Sequence, residues 1–224
     1  MAQAGIHGMV AGAVRKYVPE KEWLMLGIVL GSIFPDMDNI AVAIATVAKL
    51  PTHGLHRTFT HSIFTILLVI VVFYLVAALT KKPRWSTFGI GFGVGILMHV
   101  LLDLVVWFNG VEVLWPISSW VNFWEGFPVP DWLSKFLMPA EFLCFGLFFL
   151  MLASLSRKHQ TDITYQSRLR IWMIVQFVLF VAFTGMVYTM DKGFMTIYGA
   201  VYLLSLFLAF GIVIRMRETV EALG

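Results

Sequence analysis

Long runs of apolar residues dominate the pattern of this 224-residue chain. Five of them are long enough to cross a bilayer, which takes about 20 mainly apolar residues in a helix. These runs are residues 62–80, 88–107, 136–155, 171–190 and 194–214. Backbone groups find no water inside a bilayer, so each run has to satisfy its hydrogen bonds within a helix. The pattern therefore predicts an all-α, polytopic bundle of transmembrane helices.

Two apolar stretches near the N-terminus are less regular. Residues 23–48 have the length of a span, but the sequence Phe-Pro-Asp-Met-Asp-Asn interrupts their centre at 34–39. Proline and two carboxylates are costly in a helix that faces lipid, so we expect two half-helices around a polar break. Residues 6–14 are too short to cross alone and are predicted to form an amphipathic or re-entrant helix.

Composition agrees with the pattern. The chain is 59% hydrophobic and 13% charged, against about 25% charged residues in soluble domains. The net charge of +3 lies in short clusters between apolar runs and not on one exposed face, so nucleic acid is not an expected partner. Cys144 is alone, which excludes a disulfide framework and a thiolate metal site. We expect one integrated membrane domain, with residues 1–118 bearing the chemistry and 119–224 contributing an outer loop and further spans.

Basic residues predict the orientation. They cluster in three connections, as Lys81, Lys82 and Arg84, then Arg157, Lys158, Arg168 and Arg170, then Arg215 and Arg217. The positive-inside rule assigns all three clusters to the cytoplasm, which predicts a cytoplasmic C-terminus and an outward loop at 109–135. This loop contains Trp115, Trp120, Trp124 and Trp132. They are typical of an interfacial anchor, and a lid or a lipid-access role is the alternative.

Histidines and aspartates concentrate in the first hundred or so residues. The set comprises His7, His53, His56, His61 and His99, together with Asp36, Asp38 and Asp103. Ionisable groups inside a membrane helix are costly and usually mark an ion path, a proton relay or a site. We therefore expect the chemistry in the N-terminal half.

His99 and Asp103 form the sharpest pair. They lie four residues apart in a predicted helix, which places an imidazole and a carboxylate on one face. The pair can bind one metal ion, or Asp103 can simply hydrogen-bond His99 inside the bundle. Gly91 and Gly95 continue the same face and predict that another helix approaches closely along it.

The segment before the first long span adds His56, Arg57 and His61, on the predicted outer side where Asp103 also lies. Arg57 suits an anionic substrate group, because its guanidinium presents a fork of donors. The alternative is that Thr58 or Thr60 is an ordinary helix N-cap and that the histidines are interfacial.

The break adds two carboxylates, and the N-terminal helix adds one histidine. Asp38 can be the N-cap of the half-helix that begins at Asn39, whereas Asp36 has no such role and is the favoured ligand. His7 can reach the metal only if its short, glycine-rich helix folds against the bundle.

These residue types predict one or more divalent ions. Histidine and aspartate without cysteine suit zinc, manganese or iron, with zinc favoured. The expected ligands are His7, Asp36, His56, His61, His99 and Asp103. Such a centre lowers the pKa of a bound water and polarises a phosphoryl or carbonyl oxygen. Arg57 is the expected substrate-binding residue, and Asp38 or Asp103 is the expected general base.

In this order, the motifs resemble those of the YdjM-like family of inner-membrane, metal-dependent hydrolases. The resemblance spans roughly residues 5–118 and rests on Phe34-Pro35-Asp36-Met37-Asp38, on His56-Arg57 with Phe59-Thr60-His61-Ser62, on Gly95 with His99 and Asp103, and on Gly110-Val111 with Leu114-Trp115-Pro116. The chain departs from the usual pattern at Thr58, where glycine is common, and at Asn39, where histidine is frequent.

The resemblance implies a distant similarity to zinc-dependent phospholipase C and P1-type nucleases. By that similarity His99, Asp103, Asp36 and His61 would be ligands, with His7 and His56 supporting them. The leading hypothesis is a membrane-embedded metallohydrolase that cleaves a phosphoester of a lipid or a lipid-linked substrate. The alternatives are a ceramidase-like lipid amidase, a metal or proton transporter and a regulatory scaffold.

Overall fold

The computed structural model describes residues 4–117, 120–190 and 192–222. These residues contain nine α-helices: α1 (Ala4–Ala13), α2 (Leu24–Ile33), α3 (Asn39–Val47), α4 (Ile63–Thr80), α5 (Arg84–Val106), α6 (Asp131–His159), α7 (Gln166–Thr189), α8 (Phe194–Arg215) and α9 (Arg217–Glu221). Short 3₁₀ helices occupy Val14–Tyr17, Phe34–Asp38, Phe59–His61 and Ile163–Tyr165. No strand occurs in the described ranges, only an isolated bridge between Val111 and Val121. The predicted all-α class is confirmed.

Six helical stretches are long and apolar enough to cross a membrane. They are Leu24–Val47, Ile63–Thr80, Arg84–Val106, Asp131–His159, Ile163–Thr189 and Phe194–Arg215. Five correspond to the predicted spans, extended by several residues where polar ends continue the helix, as at the start and end of α6. The sixth is the interrupted stretch near the N-terminus, so the chain is a multi-pass membrane protein.

The interrupted stretch near the N-terminus does not divide into two separate half-helices. Residues Phe34–Asp38 form a 3₁₀ helix between α2 and α3, and the chain stays helical throughout. Pro35 lies in the first turn of this 3₁₀ helix. Because it has no N–H, it cannot donate the i→i−4 hydrogen bond to Gly31 that would continue α2, which favours the change of winding at this point. The prediction of a polar break was right about its position. The 3₁₀ winding is tighter than that of an α-helix and changes the direction of the two aspartate side chains, but it does not end the helix.

Helix α2 lies at the centre of the bundle, and all of its residues are buried. It packs against α5 through glycines on both helices. A Cβ atom on Gly95 would lie 2.6 Å from the backbone nitrogen of Ser32, and one on Gly27 would lie 2.9 Å from that of Phe92. The glycine stripe of α5 therefore allows the close approach of a second helix, as its spacing predicts, and that helix is α2.

Helix α1 packs inside the bundle, mainly against α6 and α2. Its contact face consists of small residues, since a Cβ atom on Gly5 would lie 2.6 Å from the backbone nitrogen of Phe145, and one on Gly8 would lie 3.2 Å from the ring of Phe148. Because His7 is the one polar side chain of α1, the amphipathic alternative was wrong, and the re-entrant alternative stays a prediction. Small residues let α1 lie directly on α6, and no strongly polar face is needed.

The remaining helices enclose this core. Helix α7 packs along α6, and α8 and α9 contact α2. The carboxylate of Glu221 on α9 accepts hydrogen bonds from the backbone N–H groups of Trp23 (2.7 Å) and Leu26. These N–H groups lie at the start of α2, where a helix leaves its first N–H groups without internal partners. The C-terminal helix thus fixes the beginning of the central helix.

We predict that Gly95→Ala destabilises the protein by roughly 1–3 kcal/mol, the usual cost of overpacking a tight core. The methyl group would collide with the α2 backbone, which cannot move without displacing the bundle. Gly185→Ala on α7 is the matched control, because nothing lies within 4 Å of a Cβ atom there. Thermal unfolding of both variants in detergent measures the difference, and equal melting temperatures would refute the tight contact.

Candidate metal centre

The structure brings the predicted site residues together from four parts of the chain. Helix α1 contributes His7, the 3₁₀ helix after α2 contributes Asp36 and Asp38, the segment before α4 contributes His56, Arg57 and His61, and α5 contributes His99 and Asp103. His53 is exposed and belongs to none of the described metal-type groups.

Two imidazole nitrogens face each other at the middle of this cluster. The Nε2 atoms of His61 and His99 lie 3.1 Å apart, and both side chains are completely buried. Two nitrogen ligands of one tetrahedral zinc ion would lie about 3.3 Å apart, given Zn–N distances of 2.0–2.1 Å. The two lone pairs repel each other unless a cation or a proton lies between them.

Hydrogen bonds on the far side of each ring orient these nitrogens. Nδ1 of His99 donates to the carbonyl oxygen of Ser32 at 2.7 Å. The hydroxyl of Thr60 donates to Asp38 at 2.7 Å and lies 2.9 Å from Nδ1 of His61, so it can accept the proton of that nitrogen. Both rings are therefore held in the tautomer that leaves Nε2 as an acceptor, the usual arrangement of histidine ligands.

Carboxylates surround the paired histidines. Asp36 is fully buried, and an oxygen of its carboxylate lies 3.7 Å from Nε2 of His99. Neither oxygen of Asp36 has a hydrogen-bond partner among the described residues. Asp103 lies 3.6 Å from Nε2 of His61 and 3.7 Å from Nε2 of His99. Buried carboxylate oxygens without donors require a cation or a proton.

His7 completes the inner part of the cluster. Its ring stacks on that of His99 with centroids 3.6 Å apart, and its Nε2 atom lies 3.2 Å from Asp103. The prediction left open whether α1 could bring His7 this far. The packing of α1 against α6 and α2 does so.

Asp38 plays a different part from Asp36. It accepts hydrogen bonds from Nδ1 of His56 (2.6 Å), from the backbone N–H of Arg57 (3.1 Å) and from the hydroxyl of Thr60. Its side chain makes no capping bond to α3, so the alternative of an N-cap was wrong. Asp38 also accepts a longer hydrogen bond from the side-chain amide of Asn39 (3.5 Å). A carboxylate with this many donors is better suited to orient the histidines than to take a proton.

The threonine alternative was also wrong. Helix α4 begins after Ser62, whose hydroxyl accepts a hydrogen bond from the N–H of Phe64, and neither Thr58 nor Thr60 caps it. Thr60 instead links Asp38 to His61, a role that depends on the 3₁₀ helix Phe34–Asp38 lying beside the 3₁₀ helix Phe59–His61.

Arg57 brings a permanent positive charge into the centre. Its side chain is 2% exposed, and its Nε atom lies 3.4 Å from Asp103. Its backbone has a φ of 63°, a conformation costing an L-residue about 1–2 kcal/mol. Two backbone hydrogen bonds hold it there, from its N–H to Asp38 and from the N–H of Glu112 to its carbonyl at 2.9 Å.

The loop between α5 and α6 is part of the site's support. In addition to the hydrogen bond from Glu112 to Arg57, the carbonyl of Val113 accepts a hydrogen bond from the N–H of Ile63 at 2.9 Å. The ring of Trp115 also packs on Phe59. The loop therefore lies against the segment that carries the histidines. Anchoring of its tryptophans in the interface stays a prediction.

The cluster reaches the surface at one edge. Nearly all of its members are at most 2% exposed, whereas the side chains of His56 and Asp38 are 18% and 8% exposed. Burial lowers the pKa of His56 to about 4, so its ring is neutral at pH 7. Its Nε2 atom is buried and has no hydrogen-bond partner among the described residues. Because Nδ1 donates to Asp38, Nε2 carries a free lone pair that could bind a metal ion.

The donor set fits a divalent metal. Potential ligand atoms form three groups, and within each group they lie within 4.8 Å of one another: His7, His99 and Asp103; Asp36, His61 and His99; Asp38, His56 and His61. His99 belongs to the first two groups and His61 to the last two. The first two carry the atoms without hydrogen-bond partners, whereas the third is largely satisfied by its own hydrogen bonds. An ion would therefore lie on the inner side, near the Nε2 atoms of His61 and His99.

Sequence reasoning missed Glu141, which is fully buried in α6. Its signal was present, because it is the one acidic residue in the apolar run 136–155, and buried ionisable groups in membrane helices call for an explanation. The carbonyl of Ser32 was also missed, and no sequence signal marks a backbone group.

Fold and cluster together define a multi-pass, all-α membrane protein with a buried histidine and aspartate centre. The family model of the YdjM inner membrane protein matches residues 3–217, and the chain belongs to that family. The match extends the predicted resemblance of residues 5–118 through the C-terminal spans. No curated protein and no solved structure matches the chain significantly, and the similarity to phospholipase C and P1 nuclease stays a prediction.

Loss of a residue that only orients a metal ligand typically lowers metal affinity by roughly 10- to 100-fold. We predict that His61→Ala and His99→Ala, which each remove a ligand, lower the affinity for zinc by more than this. His53→Ala is the control, because it removes an exposed histidine outside the cluster. Metal titration of the purified proteins, with metal analysis of each, measures this. Unchanged zinc affinity in both cluster variants would contradict the assignment.

Proposed function

We propose that the protein is a membrane-embedded, metal-dependent hydrolase that cleaves a phosphoester of a lipid or a lipid-linked substrate. The observation that carries the proposal is the convergence of the His61 and His99 Nε2 atoms, 3.1 Å apart, beside buried carboxylates and a buried arginine. Metal centres of this donor type are common in hydrolases.

The metal would be held by His61, His99 and Asp36, with Asp103 and His7 within reach. A bound zinc, manganese or iron ion supplies a water of lowered pKa and polarises the phosphoryl oxygen. Oxygen and imidazole donors without sulfur suit all three ions. The protein's own contribution is to hold these donors rigidly in a space without bulk water.

The remaining charged residues fit phosphoester chemistry. Arg57 binds the anionic phosphate through its planar fork of donors. Hydrolysis adds water to phosphorus and breaks the bond to the leaving alcohol, which takes up a proton. Asp103, which accepts fewer hydrogen bonds than Asp38, is the better-placed proton acceptor, and Asp38 positions His56 and His61.

The surroundings favour an amphiphilic substrate. The cluster reaches the surface at His56 and Asp38, and the nearby residues Ile40 and Phe59 are exposed although apolar. A phosphate group can therefore approach this edge while acyl chains stay among apolar side chains. In the predicted orientation the edge faces the outer side of the inner membrane.

The test is hydrolysis of a broad phospholipid panel by zinc-loaded protein in mixed micelles, with product analysis. We expect release of a phosphate ester or of diacylglycerol. Release of fatty acid from an amide would favour the ceramidase-like alternative, and inactivity of fully metal-loaded protein toward the panel would overturn the proposal.

We further predict that Arg57→Lys lowers kcat/KM by about tenfold or more, equivalent to about 1.4 kcal/mol, while zinc content stays unchanged. Lysine keeps the charge but loses the two-pronged contact. Arg84→Lys, at a partly exposed site where the arginine lies 3.3 Å from Glu22, is the control. Equal kinetics for the Arg57 and Arg84 variants would exclude a substrate contact.

A further inference from the structure

The C-terminal half carries a buried acid that none of the roles above uses. Glu141 lies in α6, is fully buried, and one of its carboxylate oxygens has no hydrogen-bond partner among the described residues. The nearest polar group is on α1, since the other oxygen accepts a hydrogen bond from the N–H of Gly5 at 3.0 Å. A buried carboxylate costs several kcal/mol unless it makes compensating contacts, so its presence inside an apolar helix requires a reason.

The bond to Gly5 is a helix-terminus contact between distant parts of the chain. Gly5 lies in the first turn of α1, where N–H groups have no partner inside the helix. A carboxylate there also interacts favourably with the positive end of the helix. The ten-residue α1 is too short to be stable alone, so this contact and its glycine face hold it in place.

His7 follows Gly5 by two residues on the same helix. Its Nε2 atom lies 3.2 Å from Asp103, and its ring stacks on His99. Successive residues of a helix point about 100° apart. A shift of α1 by one residue along α6 would therefore turn His7 away from Asp103.

We propose that Glu141 is a positioning residue for the metal centre: it fixes the first turn of α1 on α6 and so keeps His7 facing Asp103 and His99. The inference rests on the metal centre of the proposed function. It assigns a role at the metal centre to a residue of the C-terminal half, whereas the sequence pattern predicted the chemistry in residues 1–118 alone.

The experiment compares zinc affinities of purified, intact variants by competition with a chelator. Glu141→Leu removes the acceptor, and we expect a roughly 10- to 100-fold loss of affinity, as for other residues that orient ligands. Glu141→Gln keeps an oxygen acceptor for the Gly5 N–H, and we expect affinity within about threefold of the wild type. This rescue separates positioning from a need for the negative charge.

Gln176→Leu is the matched control. Gln176 is also buried in a span, where it donates to Ser205 on the neighbouring helix at 3.2 Å. The change to leucine is equally large, but the hydrogen bond that it removes joins α7 to α8 and not α6 to α1. We expect unchanged zinc affinity, which shows that loss of a buried polar contact alone does not disturb the centre.

A double-mutant cycle with His7 completes the test. If Glu141 acts through His7, Glu141→Leu has no further effect on zinc affinity in a His7→Ala background. Additive losses, or wild-type affinity in folded Glu141→Leu, would overturn the proposal. These readouts use zinc alone, so they stay decisive even if the metal-loaded wild type hydrolyses nothing, a result that would refute only the proposed reaction.

Discussion

The close contact between α2 and α5 is the constraint on which the site depends. Glycines on both helices bring the two backbones together, so a Cβ atom on Gly95 would touch Ser32. Because the helices lie this close, the carbonyl of Ser32 reaches Nδ1 of His99, and the 3₁₀ helix that follows α2 places Asp36 beside the same ring. One packing contact thus sets the position, the orientation and the tautomer of His99.

A second constraint is electrostatic. The metal-type cluster holds carboxylates, imidazoles and the guanidinium of Arg57 at almost complete burial. Each charge there is costly unless an opposite charge or a donor faces it. Asp103 faces Arg57, His7 and both central histidines. Asp38 accepts hydrogen bonds from His56, Asn39, Thr60 and the backbone of Arg57. The groups that lack such partners, above all Asp36, are where a cation would be stabilised most.

The two halves of the chain are physically joined around this centre. Helix α1 lies on α6, α9 caps the start of α2, and the loop between α5 and α6 is hydrogen-bonded to the segment that carries Arg57. The family match through residue 217 agrees with this, since the C-terminal helices support elements that bear site residues. The role proposed for Glu141 is the most specific form of that dependence.

The sequence by itself determined the membrane class, the five long spans, the one-face pairing of His99 with Asp103 and the glycine face of α5. These features follow from local rules, namely the thickness of a bilayer and the 3.6-residue period of a helix. Only the tertiary structure decided that Asp38 supports histidines and does not cap α3, that Thr60 links Asp38 to His61, and that Glu141 contacts Gly5. Each of these contacts is a hydrogen bond between segments that are separated in the chain. No local pattern encodes how such segments lie relative to one another, because side-chain packing between helices sets the distances between them.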